Sequence, residues 1–168
     1  ETGIIYNTCC WGPPEELGEV GQAGYDSVRL MVNMLMQGGV QTTTFQPVLF
    51  MDNLLTDWAR KDILEKDLYT YPHNPNLEAS WICLDDVSKF MIAAIDRDDL
   101  VGRCINIGGP EVFVPPRVAD LLSGHFGRPI KYEELSLEDF SNRLYDIFYK
   151  DISEDDRGGR SADRDAFI

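Results

Sequence analysis

The side chains able to move a proton or hold a ligand are few in this chain, and their spacing narrows the chemistry further. Tyr25 and Arg29 stand four residues apart, hence on one face of a helix. A cation beside a phenol favours the phenolate for plain Coulombic reasons. Asp85 and Asp86 form a carboxylate pair, but Asp86 reads as the N-cap of a following helix, an interaction worth roughly 1 kcal/mol. His73 lies in a Pro/Asn loop and His125 in a helix's last turn, where a cation suits the dipole. Neither histidine has a nucleophile nearby in sequence, so a hydrolase triad is not supported. Cys9, Cys10, Cys83 and Cys104 lack metal-ligand spacing, and no metal is expected. Buried free thiols in a reducing cytoplasm are the expected state.

The elements that must position these groups follow from periodicity. Ile4 to Trp11 is a β-rich run, Val28 to Gln37 a Met- and Leu-rich helix stopped by Gly38-Gly39, and Val40 to Phe45 a β-branched strand broken by Gln46-Pro47. Strand, helix, strand is the βαβ pattern of a parallel sheet. Ligands of such sheets sit beyond the carboxyl ends of the strands, here Thr8 to Trp11 and Gln46 to Asn53. Further on, the spacing predicts a helix over Leu54–Lys66, a short strand at Tyr69–Tyr71, and a strand at Ser80–Leu84. A helix over Val87–Asp96 follows, with Val87, Phe90, Met91, Ala94 and Ile95 on its apolar face. Cys104–Ile107 reads as a strand. Pro115-Pro116 opens a helix that Gly127 ends. Ile130–Leu135 is a strand, and Ser136 with Asp139 resembles a capping box for a last helix from Leu137 to about Tyr149.

Gly18, Gly21 and Gly24 match G-x-x-G-x-x-G, but Pro13 to Leu17 separates them from the first strand. Glu15 and Glu16 would also face a diphosphate. A flexible loop, rather than a phosphate-binding turn, is the expectation.

Bulk composition sets the outer limits. The 168 residues fit one domain, or one domain with a small lobe, and 43% hydrophobic content supports a buried core. A net charge of −14 without a basic stripe argues against a nucleic-acid surface. No run reaches the roughly 18 apolar residues of a membrane span.

Several segments together resemble the C-terminal half of the NmrA-like family, atypical members of the short-chain dehydrogenase/reductase superfamily. They are Ile5-Tyr6-Asn7-Thr8-Cys9, Tyr25-x-x-x-Arg29, Thr44 to Asn53, Trp81 to Val87, Gly102 to Glu111, and Gly127 to Tyr132 within Leu122–Leu137. Their order and spacing carry the match. The resemblance implies α/β architecture: the C-terminal part of a Rossmann-like parallel sheet, from about the fifth strand onward, with a small α+β substrate lobe. The sheet remainder is expected over residues 1–58 and 80–110, the lobe over 59–79 and 111–150, and a mobile acidic tail over 151–168.

The same resemblance implies NADP or NAD as cofactor, held mostly by residues outside this chain, and hydride transfer to a small quinone- or enone-type molecule. Two rivals are a non-catalytic NAD(P)-sensing regulator of the same fold and an epimerase acting on sugar nucleotides. Tyr25 and Arg29 would occupy the catalytic Tyr-x-x-x-Lys positions; arginine keeps the charge but cannot act as a base. Thr8, Cys9, Gln46, Pro47, Val48, Leu49 and Phe50 would face the cofactor, and Trp11 and Asn53 the substrate. Gln46 stands where relatives commonly carry arginine. An interior position for the first strand would leave its edge open, so association with a missing N-terminal Rossmann half, a second chain or another copy is expected.

Overall fold

The structure is a computed structural model describing residues 3–8 and 23–149. Cys9, Cys10, Trp11, Gly18, Gly21 and the expected tail at 151–168 lie outside the described residues. The described chain packs as two compact units, the chain passing between them at 51/52, 79/80 and 112/113.

The first unit is built on a parallel sheet. β1 (Ile4–Asn7) leads to α1 (Ala23–Gln37) and then β2 (Thr42–Pro47), which lies parallel to β1 with Ile4 opposite Thr42 and Asn7 opposite Phe45. β2 also pairs in parallel with β6 (Cys104–Ile107), Thr44 opposite Cys104 and Pro47 opposite Ile107. The sheet order is therefore β1-β2-β6. β2, at its centre, is buried on both faces from Thr42 to Phe45, as a parallel strand between covering layers must be. Of its buried hydroxyls, Thr42 Oγ1 donates to Val40 O (3.0 Å) and Thr43 Oγ1 to Leu100 O (3.0 Å), while Thr44 Oγ1 is buried without a hydrogen-bond partner among the described residues. β1 is half-buried along its length, and β2 is its strand neighbour among the described residues.

Short β3 (Leu49–Phe50) pairs in parallel with β5 (Ala79–Ile82), Leu49 opposite Trp81 and Phe50 opposite Ile82. α3 (Leu84–Ala93) follows β5 directly. Phe45, Ile82, Val87, Ala94 and Ile107 form the core, with Ile5, Phe50, Met91, Leu100 and Ile105 packed against it.

The second unit holds α2 (Asp57–Lys66), β4 (Leu68–Tyr71), α4 (Pro115–Phe126), β8 (Lys131–Glu134) and α5 (Leu137–Tyr149). β7 (Val112–Phe113) lies where the chain crosses into it. β4 and β8 are parallel, Leu68 opposite Lys131 and Tyr71 opposite Glu134. Trp58 meets Tyr71 at a tilt and Phe140 edge-on, with ring centroids 5.1 and 5.2 Å away, and Tyr69 meets Tyr132 at 5.5 Å. Gly127 ends α4 in the left-handed conformation (φ 65°). Ser136 Oγ accepts the Asp139 N–H at 3.0 Å and starts α5.

Several boundaries differ from the sequence expectations. β2 runs on through Gln46 and Pro47, because a proline in last position removes no ladder bond that Val48 cannot replace; Val48 N donates to Ile107 O (3.1 Å). α3 starts at Leu84, with Cys83 at the N-cap and no side-chain cap. Asp85 and Asp86 instead sit in the first turn, both ion-paired to Lys89. α3 ends at Ala93, so Ile95 falls beyond the helical repeat and is 66% exposed. Met51–Leu55 is a 3-10 turn closed by Thr56 Oγ1 donating to Asn53 O (2.6 Å), and α2 begins only at Asp57. Cys104 is exposed rather than buried, since β6 turns it to the outer face of the strand's alternation.

Candidate functional site

The carboxyl ends of β1 and β2 gather one set of the singled-out residues. Thr8 is buried and closes β1: its N–H donates to Phe45 O at 3.0 Å and its Oγ1 to the same carbonyl at 3.2 Å. Beside it on β2 are half-buried Gln46 and fully buried Pro47. Val48 is 38% exposed and Leu49 and Phe50 are half-buried, so the segment presents an apolar wall with Val48 as its open member.

Gly109 fixes the neighbouring end of β6. A Cβ there would lie 1.9 Å from Trp81 O, and Ser80 Oγ donates to Gly109 O at 3.0 Å. Only glycine lets the two backbones approach this closely. Cys9 and Trp11 lie outside the described residues, and Asn53 belongs to the second unit.

A second set stands on α1, which packs against β2. Tyr25 sits in the first turn and is 40% exposed. Arg29 lies one turn further along. Its Nη2 reaches Asp26 Oδ1 at 3.3 Å, while its Nη1 is buried with no hydrogen-bond partner among the described residues. An unmade bond on a buried donor costs about 1–3 kcal/mol; the Thr44 and Tyr69 hydroxyls are buried without a partner among the described residues in the same way. Asp26 escaped the sequence reading, although an acid three residues before an arginine on one helix is a legible signal.

The second unit contains a polar knot that the sequence did not announce. Arg143 Nη1 donates to Trp58 O (3.0 Å), Asp62 Oδ2 (2.8 Å) and Thr70 Oγ1 (2.8 Å). Lys66 Nζ meets Asp62 Oδ1 at 2.8 Å. Burial pushes the Asp62 carboxyl up, but hydrogen bonds from Lys66 and Thr70 and the charge of Arg143 outweigh it and hold the carboxyl below its usual range. The knot borders an open cleft of about 1080 Å³ between α2 and α5. Nearby, the Tyr132 hydroxyl donates to the carbonyls of Tyr71 and His73, and burial lowers the proton affinity of the His73 ring. These contacts read as the scaffold of the unit, because Asp62, Thr70 and Arg143 answer one another. Among the described residues no group of three or more His, Cys, Asp or Glu side chains is placed to hold a metal, and no helix is long and apolar enough to cross a membrane.

The parallel β1-β2-β6 sheet with α1 crossing between its first two strands defines an α/β, Rossmann-like fold. Known proteins share it. An NADPH-dependent quinone oxidoreductase from Escherichia coli, in complex with NADPH, superposes with a TM-score of 0.68 at 17% identity, over 86% of this chain and 48% of its own. A nucleoside-diphosphate-sugar epimerase from Staphylococcus aureus gives a TM-score of 0.65 at 22% identity, over 84% of this chain and 47% of its own. In sequence, an NAD(P)H azoreductase from Xenophilus azovorans is 29% identical over 104 residues, 62% of this chain and 35% of the azoreductase. The chain thus spans about half the length of these solved structures and about a third of the azoreductase. No protein-family model matches it.

Proposed function

We propose that the chain is the C-terminal, substrate-side part of an NmrA-like, NAD(P)(H)-dependent oxidoreductase that reduces a small quinone- or enone-type molecule in the cytoplasm. One observation carries the reading: Arg29 holds a buried, unanswered Nη1 donor one helical turn from a partly exposed Tyr25 phenol, on the helix that follows β1. The similarity to an NAD(P)H azoreductase and the fold shared with an NADPH-dependent quinone oxidoreductase support it.

The residues present fit the nicotinamide end of such a cofactor. Arg29 offers a donor that needs an acceptor, and Val48, Leu49 and Phe50 offer an apolar wall. The diphosphate-binding turn is assigned to residues outside this chain. When bound, the cofactor supplies hydride. Tyr25 donates the proton that the reduced substrate oxygen requires, and Arg29 holds its ligand through Nη1. Thr8, Gln46 and Pro47 shape the floor beside the wall. The edge of β1 left uncovered among the described residues takes a further strand from the rest of the protein or from a second chain.

The test is NADPH and NADH binding and consumption by the complete protein with a panel of quinones and an azo dye. Turnover that disappears in Tyr25→Phe while cofactor binding persists supports the reductase. Arginine in the Lys position and Gln46 in the Arg position favour, as second reading, a regulator that binds the cofactor without turning it over. Sugar-nucleotide interconversion without net cofactor consumption would assign an epimerase-like role. Absence of dinucleotide binding would sink all three.

A further inference from the structure

Arg29 is gripped from one side only. Its Nη2 meets Asp26 Oδ1 at 3.3 Å, and Nη1 stays buried with no hydrogen-bond partner among the described residues. The Arg29 and Asp26 side chains are 17% and 24% exposed, so the pair lies just beneath the surface and not in the deep core. A guanidinium is a rigid planar fork, and an anchor on one nitrogen sets the direction of the other. The carboxylate also offsets the positive charge. What remains is a screened donor with little net charge around it. Such a donor matches a neutral oxygen, a hydroxyl or a carbonyl, better than a phosphate, which calls for uncompensated cations.

We infer that Asp26 is a positioning residue, holding Arg29 by Nη2 so that Nη1 meets a neutral oxygen of the bound ligand one turn from Tyr25. The inference rests on the nicotinamide-site reading above. A helical pair of this spacing contributes little to stability by itself, so fold support alone does not account for a fork left half-satisfied.

Two probes separate the chemistries: NADPH, and reduced nicotinamide riboside, which keeps the neutral hydroxyls and carboxamide but carries no phosphate. Binding of each to the complete protein is followed by nicotinamide fluorescence in wild type, D26A and D26E. The expected result is that D26A, which has no acceptor for Nη2, weakens both probes by a similar factor, about three- to tenfold, the net worth of one hydrogen bond. D26E, which restores the carboxylate, recovers most of the loss, and the thermal midpoint of D26A stays close to wild type. Unchanged binding of both probes in D26A overturns the positioning role and leaves the nicotinamide site standing. Loss for NADPH alone overturns the neutral-acceptor assignment, and failure of D26E to rescue overturns the need for a charged anchor. A wild type that binds neither probe fails the nicotinamide reading and this inference together.

Discussion

Arg143→Ala should be among the most damaging single changes in the second unit. Arg143 Nη1 serves three acceptors, Trp58 O, Asp62 Oδ2 and Thr70 Oγ1, all within 3.0 Å. The Asp62 side chain is 7% exposed, so removing the arginine strands a carboxylate away from water. Breaking a buried pair by deleting one partner costs about 3–5 kcal/mol. Lys66, still 2.8 Å from Asp62 Oδ1, remains as a second cation, which places the cost at about 3 kcal/mol. For a chain of this size that corresponds to a fall in thermal midpoint of about 6–12 °C.

Circular dichroism melts of wild type, R143A, D62N and the double variant D62L/R143M measure it. The double variant should lose less than R143A, because it removes both charges together. The pH dependence supplies an independent arm. Asp62 has a folded pKa below its unfolded value, so its contribution is present above the unfolded carboxylate value of about 3.9 and is lost as pH falls through the folded pKa. The stability gap between wild type and D62N should therefore narrow on acidification below about pH 4. An R143A midpoint within about 2 °C of wild type, or a D62N gap that widens in acid, would refute the buried-pair account.

Two further changes probe the scaffold. Gly109→Ala forces a Cβ to within 1.9 Å of Trp81 O, a backbone atom that cannot rotate away, and should destabilise the first unit by about 1–3 kcal/mol in a urea titration. Ser136→Ala removes the acceptor for the Asp139 N–H and should cost about 1 kcal/mol, with faster amide exchange confined to the first turn of α5.

Local chemistry was the legible part of this chain. Pro115 at the start of α4, Gly127 at its left-handed end and Ser136 before α5 each act within one turn, and the structure finds all three in those roles. Asp86 shows the limit of such reading. Its type suits an N-cap, but helix entry depends on where β5 releases the chain, and packing of Trp81 and Ile82 puts that point at Cys83. The apolar face read for α3 fails at Ile95 for a related reason: periodicity marks which residues align, not where the helix stops, whereas Phe90 keeps its ring 6.4 Å from that of core Phe45.

Local pattern was enough to set the main strands and helices, the α/β class and the Tyr25–Arg29 spacing, because these depend on contacts a few residues apart; the two-residue strands β3 and β7 were too short to read. The tertiary structure alone decided that β2 lies between β1 and β6, that Gly109 sits against Trp81, and that Asp62 meets Arg143 across 81 residues of chain. It also decided that Asp26 takes one arm of Arg29 and leaves the other unanswered. Burial and long-range register are properties of the packed chain, set by which distant surfaces exclude water together, and no local window of residues contains them.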